Sequence, residues 1–223
     1  MKRMAKIVIF GVDDTAELAH FYLHNDTEHQ VAAFTLDSDY IDSNYFCKLP
    51  VVPFNRLEKK FPPNEYKIFI ALGYSKVNEV RKNKYNEAVD KGYAFISYIS
   101  PRAVVFDNVT VGSNCFILED NTIQPFVSIG NNVTLWSGNH IGHHSVIHDH
   151  CFLASQIVVS GRVCIRENSF VGVNATIRDH ITIGRRNVIG AGSIIMRDTN
   201  DDEVYVPERT KLYRKKSFEL EKI

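Results

Sequence analysis

From Val105 to Ile195 every sixth residue is valine, isoleucine or leucine, sixteen positions in succession with no insertion. If about a quarter of residues were of these types, chance would give such a run about once in a billion sequences, so the period is a structural instruction. A six-residue period suits neither an amphipathic helix, which repeats every 3.6 residues, nor a half-buried strand, which repeats every two. It is the period of the hexapeptide parallel β-helix, in which short strands alternate with tight corners.

A second column fixes the phase. Four residues after each aliphatic stand Val109, Cys115, Asn121, Val127, Val133, Asn139, Ser145, Cys151, Ile157, Val163, Ser169, Ala175, Ile181, Asn187 and Ser193, nearly all small or β-branched. Each lies two residues before the next aliphatic, so the two side chains point to the same side of a strand. The residues between are corners. Glycine follows the aliphatic at Gly112, Gly130, Gly142, Gly172, Gly184 and Gly190, where a tight turn excludes a Cβ. Three hexads make one triangular coil, and strand pairing stacks coils ~4.8 Å apart.

The first hundred residues read differently. Apolar runs at 7–10, 31–36 and 68–72 end at Gly11, Asp37 and Gly73, with helical patterns at 14–23 and 76–91 and a further apolar run at 93–98. Strand alternating with helix predicts a small Rossmann-like α/β domain with a parallel sheet. Such sheets bind ligands at the carboxyl ends of their strands, which nominates Gly11, Asp13, Asp14, Asp37, Gly73, Tyr74 and Lys76. Gly11-Val12-Asp13-Asp14 is no Gly-x-Gly-x-x-Gly loop, and Asp14 is also suited to cap the helix. The expected organisation is an α/β domain at 1–100, a β-helix at 101–198 and a tail at 199–223, with Ser100-Pro101 at the hinge.

Lysine plus arginine and aspartate plus glutamate each number 26, so net charge gives no general attraction to nucleic acid or anionic membrane. The apolar run at 7–10 is too short for a signal peptide and no segment suits a membrane span. Four cysteines without paired metal spacing fit a reduced, cytoplasmic protein, with Cys115 and Cys151 in the inward column.

Five of the nine histidines fall within 140–150: His140, His143, His144, His148 and His150. The phase puts His143 and His144 at a corner, exposed and available as bases, although surface decoration accounts for most of the cluster. Gly161 lies three hexads after His143, one full coil on in the same column. A base beside a bare backbone N–H is a candidate base and oxyanion donor for acyl transfer. Cys151 points inward and Cys164 has no evident base, which favours direct transfer over an acyl-cysteine. The rival chemistry is zinc: His143-x4-His148 is similar to the histidine pair of the γ-class carbonic anhydrases. The third histidine that such a site needs is absent upstream within the coils.

The chain resembles the sialic acid O-acetyltransferase (NeuD) family of sugar acyltransferases and is similar to the bacterial N-acetyltransferases of bacillosamine and perosamine synthesis. The motifs are Phe69-Ile70-Ala71-Leu72-Gly73-Tyr74, the Ser100-Pro101-Arg102-Ala103 junction, Ile141-Gly142-His143-His144-Ser145-Val146-Ile147 and Val159-Ser160-Gly161. The resemblance implies a left-handed β-helix, a homotrimer, acetyl-CoA in the groove between neighbouring β-helices and a nucleotide-linked sugar on the α/β domain. It makes His143 the general base and the Gly161 amide the partner of the thioester carbonyl. Three departures stand out. His144 replaces an acidic neighbour of the base, with Asp149 the nearest alternative. Gly11-Val12-Asp13-Asp14-Thr15 replaces a glycine-rich loop. Val206-Pro207-Glu208-Arg209 replaces the closing Gly-x-Pro-Ala. Trp136 is placed to stack on a sugar or base, or to pack at a subunit boundary. Arg178, Arg185, Arg186, Arg197, Lys211 and Arg214 are the candidates for CoA phosphates.

The expected function is acetyl-CoA-dependent acetylation of a sugar, foremost N-acetylation of a nucleotide-linked amino sugar by direct attack on the thioester, with no metal. The alternatives are sugar O-acetylation, a non-catalytic β-helix scaffold and a zinc hydratase.

Overall fold

The computed structural model describes residues 4–221. Its first part is a five-stranded sheet in the order β3-β4-β2-β1-β5, formed by β1 (Lys6–Phe10), β2 (Gln30–Leu36), β3 (Tyr45–Phe46), β4 (Leu49–Pro53) and β5 (Tyr66–Ile70). Only the β3–β4 pair is antiparallel. Ile7, Val8 and Ile9 in β1 are wholly buried, as a central parallel strand covered on both faces requires. The 45–53 hairpin was not foreseen, because Pro50 and Pro53 obscure a strand pattern and its partner is very short.

Helix α1 (Asp14–Asp26) is capped by Asp13, whose carboxylate accepts from the amides of Thr15 and Ala16 at 3.1 Å. The cap is thus Asp13, not Asp14. Its buried face is Ala16, Ala19 and Leu23, while Phe21 faces solvent. Helix α2 (Glu79–Asp90) starts later than the pattern suggested. Lys76, Val77 and Asn78 all take positive φ (51°, 52° and 65°), and a left-handed turn cannot belong to a right-handed helix. The 93–98 run adds no full strand to this sheet. Phe95 makes one bridge to Ile68, and Tyr98–Ile99 joins the coils instead.

The remainder is a left-handed parallel β-helix of hexapeptide repeats. Its strands are single dipeptides, and each pairs with the strand one coil away, as in Ile123 with Ile141 and Ile141 with Val159. Three sheets of six, five and seven strands form the sides of a triangular prism. The first side holds His140–Ile141, the second Val146–Ile147 and the third Phe152–Leu153. The second residue of each strand points inward. Ile117, Ile123, Leu135, Ile141, Leu153, Val159 and Ile177 are fully buried, each contributing about 1.5–3 kcal/mol.

The corners obey a rule that the sequence pattern only half revealed. Every sixth residue from Asn114 to Gly192 takes a positive φ, including Asn132, His144, His150, Arg162 and Arg186. The glycines that follow the aliphatics have no such φ. They are small because coils approach closely: a Cβ on Gly112 would lie 2.5 Å from the Gly130 carbonyl oxygen, and one on Gly142 2.5 Å from the Ser160 carbonyl carbon. The turning residue stands two places later and is often asparagine, the side chain best suited to that backbone.

The α/β unit sits against the third side. Phe116 and Phe152 there are buried, and Phe116 packs with Tyr98, Tyr22 and Phe69. Arg81 of α2 enters the corner between the second and third sides. It donates to the carbonyls of Asn132, His150 and Cys151 and to Asn78 Oδ1.

Candidate active site

The three edges of the prism carry different chemistry. On the edge after the first side, His143, Gly161, Asp179 and Arg197 form one column, each a coil beyond the last. Beside them Phe126, His144, Arg162 and His180 form the column of left-handed residues. The edge after the second side carries His148, Asp149 and His150, and the edge after the third carries Trp136. His143 and His148 therefore occupy different edges and do not converge on one metal. Among the described residues no three histidine, cysteine, aspartate or glutamate side chains form a metal-holding group.

His143, His144 and His148 are exposed, as expected of corners, but His150 is not. It is 8 % exposed, its Nδ1 lies 2.9 Å from Asn132 Nδ2, and burial pushes its pKa down to about 4. Asn132 in turn accepts from Asn114 at 2.8 Å, so Asn114, Asn132 and His150 form a ladder inside the edge that faces α2.

At the first edge the ring of His143 lies directly over Gly161. A Cβ on Gly161 would be 2.7 Å from His143 Cε1 and 2.8 Å from Nε2, so only glycine leaves room for the imidazole. The corner is held from both coils: the His143 amide donates to Gln124 Oε1 at 2.9 Å, and the Arg162 amide donates to the His143 carbonyl at 2.8 Å. Equivalent corner amides are capped by side chains, Asn131 by Asp149 and Ser113 by Asn131. Among the described residues the Gly161 amide has no such acceptor. Asp179, one coil beyond, instead bonds His180 Nδ1 at 2.8 Å.

His143 Nδ1 lies 3.1 Å from His144 Nδ1, which leaves Nε2 as the free nitrogen on the Gly161 side. His144 packs on Phe126 with ring centroids 4.6 Å apart. Its pKa is lowered by loss of solvent contact, then by the charges of Arg162 and His143. Asp149 is no substitute for an acidic neighbour, because its carboxylate caps Asn131 on another edge. Sequence reasoning missed Gln124 and Phe126. Their signal was positional, since each stands about one coil before the histidine it touches.

The thiols offer no competing nucleophile. Burial raises Cys115 to about 11 and Cys151 to about 12, and Cys47 and Cys164 are also shifted upward by burial. A shift in that direction works against the thiolate, which is the nucleophilic form.

The nominated α/β residues gather at the carboxyl edge of the sheet. Gly11, at φ 126°, passes so close to β5 that a Cβ would lie 2.6 Å from the Ala71 carbonyl oxygen. Gly73 faces open space. Tyr74 packs its ring on Phe152 and Phe170 at 5.0 and 4.6 Å, so it tethers this edge to the third side. Trp136 joins the same junction, 6.4 Å from Phe152, with its Nε1 buried and unpartnered among the described residues. Asp14 is exposed. Asp37 is engaged by Lys84 at 2.9 Å. A cavity of about 200 Å³ opens beside Val12, between Tyr40, Tyr45, Phe46 and Val51.

The arginines divide. Arg178 and Arg197 lie on the His143 edge, beyond Gly161. Arg185 and Arg186 lie on the edge facing α2 and are committed to Glu167 at 2.6 Å and Asp202 at 2.5 Å. Lys211 and Arg214 are exposed in the C-terminal segment.

Residues 108–143 match the family described as bacterial transferase hexapeptide (six repeats). The whole fold is similar to a mutant perosamine N-acetyltransferase from Caulobacter crescentus in complex with CoA and GDP-perosamine. The TM-score is 0.81 at 24 % identity, over 91 % of this chain and 93 % of that one. It is also similar to the acetyltransferase domain of PglB from Neisseria gonorrhoeae in complex with acetyl coenzyme A (0.78, 19 %, over 91 % and 96 %). WeeI from Acinetobacter baumannii is a further likeness (0.77, 17 %, over 91 % and 96 %). The α/β unit and the β-helix are thus shared with these proteins as one two-part fold.

Proposed function

We propose that this protein is an acetyl-CoA-dependent N-acetyltransferase of a nucleotide-linked amino sugar, with His143 as general base. The observation that carries the reading is His143 seated over Gly161, with a free imidazole nitrogen beside an uncapped backbone amide. The fold likeness to proteins bound to CoA and to GDP-perosamine supports the choice of co-substrates.

The chemistry follows from those two groups. The sugar amine attacks the thioester carbonyl carbon, and His143 Nε2 takes the proton that the nitrogen sheds. The Gly161 N–H donates to the oxygen as negative charge develops there. Collapse breaks the carbon–sulfur bond, and the CoA thiolate leaves and takes the proton held on His143 Nε2, which restores the base. No cysteine takes part. Arg178 and Arg197, further along the same edge, meet the phosphates of CoA; Arg185 and Arg186 are held elsewhere by carboxylates.

The nucleotide lies at the carboxyl edge of the sheet, against Gly11, Gly73 and the cavity beside Val12. That edge adjoins the third side of the prism, whereas His143 stands on the edge after the first side. One chain therefore does not bring the two halves together. A homotrimer, in which the α/β unit of one copy faces the His143 edge of the next, does. Exposed Val104, Phe106, Phe126, Val158 and Ile194 on or beside the first side supply apolar surface for that contact.

Thiol release from acetyl-CoA, measured over a panel of nucleotide-linked amino and hydroxylated sugars, tests the reading. The expected result is release with an amino sugar and a loss of ~10²–10⁴-fold in kcat for His143→Ala. Full activity in that variant refutes the mechanism. Response only to hydroxyl acceptors makes it an O-acetyltransferase, and absence of acetyl-CoA binding makes it a scaffold.

A further inference from the structure

Given the transferase reading above, we propose that His144 is a positioning residue whose neutral imidazole accepts the Nδ1 proton of His143 and thereby holds the base in its active tautomer. The geometry carries this. The two Nδ1 atoms are 3.1 Å apart with the rings nearly perpendicular, at 88°. In a pair of neutral imidazoles one Nδ1 must donate and the other accept. If His143 donates, its Nε2 carries the lone pair and faces Gly161. If it accepts, Nε2 carries the proton and no base exists at that spot.

His144 is fixed for this role on three sides. Its backbone is left-handed (φ 60°) like every sixth corner residue, its amide donates to the Pro125 carbonyl at 3.2 Å, and its ring lies against Phe126. The charged or titratable groups that face it are His143 and Arg162, both of which oppose a positive charge on it. Both bias it toward the neutral form that an acceptor must have.

A carboxylate in this position would accept the same proton and stay an acceptor throughout the neutral range. An imidazole does not. On acidification His144 takes a proton on its accepting nitrogen and becomes a donor, and the hydrogen bond that selects the tautomer is lost. Activity is then extinguished by either of two protonations, one on the base and one on its neighbour.

The experiment is the pH profile of kcat/KM from pH 5 to 9 for the wild type, His144→Asn and His144→Asp. Asparagine and aspartate both suit the left-handed corner. Because each ring opposes a charge on the other, the first proton taken up by the pair ends activity, and the wild-type acid limb should have a slope of about one that belongs to the pair. H144N, whose carbonyl oxygen accepts but does not titrate, should keep activity at pH 8 within about threefold of wild type, whereas His144→Ala, with no acceptor, should lose about tenfold or more. In H144D the slope should be about one and the limb should move about one pH unit upward, because a carboxylate favours imidazolium. An H144N activity at pH 8 as low as that of His144→Ala, or a His144→Ala activity equal to wild type, overturns the proposal. These results are separable from failure of the transferase reading, which His143→Ala reports by itself. Ring nitrogen-15 shifts give a readout without turnover: His143 should be the Nδ1–H tautomer at pH 8 in the wild type and shift toward Nε2–H in His144→Ala. An unchanged tautomer refutes the role.

Discussion

Replacing Arg81 by methionine should loosen the joint between the α/β unit and the β-helix while leaving both parts folded. The Arg81 guanidinium is fully buried, with no carboxylate bridged to it among the described residues. It is surrounded by three backbone carbonyls and Asn78 Oδ1, and Asn78 itself donates to the Asn168 carbonyl at 2.9 Å. Burial lowers its pKa to about 10, so it stays charged at neutral pH. That drop from its ordinary value corresponds to roughly 3 kcal/mol of desolvation, which methionine relieves. Against this stand four hydrogen bonds from a charged donor, at about 1.5 kcal/mol each by the lower end of the range. Methionine also leaves the Asn132 and His150 carbonyls buried without a donor. The net loss is about 3 kcal/mol, and it falls at the junction. In calorimetry the α/β unit should melt as a separate transition roughly 12 °C below the wild-type transition, taking ~4 °C per kcal/mol for a unit of about 100 residues. Amides of α2 should exchange faster than those of the coils. A single transition within about 2 °C of the wild type would refute the idea that Arg81 holds the two parts together.

Gly161→Ala places a methyl 2.7–2.8 Å from the His143 ring, so the imidazole must swing aside. kcat should fall about 10²-fold through misalignment, with Tm within ~2 °C because the corner is exposed; a near-wild-type rate would sever the base from Gly161. His150 predicts acid sensitivity. The unfolded chain gains a proton as pH falls through 6.5, the folded one only near 4, so stability declines between these values and levels off below. The loss is on the order of 3 kcal/mol for a shift of this size. His150→Asn, which continues the ladder from Asn114 and Asn132, should flatten denaturant midpoints across that window; an unchanged slope assigns the titration elsewhere.

The coils were legible because their code is redundant: the inward aliphatic, the small residue two before it and the corner each repeat at the same phase. His143 and Gly161 could be joined from sequence because three hexads close one coil whatever the side chains. The edges were legible in the same way, and counting them separates Arg185 and Arg186 from Arg178 and Arg197. Their ion pairs were not legible, since Glu167 stands a whole coil from Arg185 and Asp202 nearly one from Arg186, and only the stacking of coils brings them alongside. The α/β unit was harder. Its strands appear as apolar runs, but the delay of α2 to Glu79 depends on Lys76 and Val77 accepting a left-handed backbone that neither favours. Tertiary contact decides that turn, because Asn78 and Arg81 reach the coils only if the helix starts late. Tyr74 shows the same limit: its position after β5 was evident, its packing on Phe152 and Phe170 was not.

The equal spacing of the coils also governs which changes in length this chain can survive. Deleting one hexad within the prism turns everything downstream by one side, so that Gly161 arrives on an edge without His143. Deleting a whole coil restores the edges but slides Asp179 under the imidazole, replacing a glycine that leaves room for the ring with a residue that carries a carboxylate. Any other length breaks the inward column. The prism therefore carries a reading frame of its own, coarser than that of the gene. Within it the reactive corner can be altered by substitution, while insertions are confined to loops that leave the count between His143 and Gly161 intact.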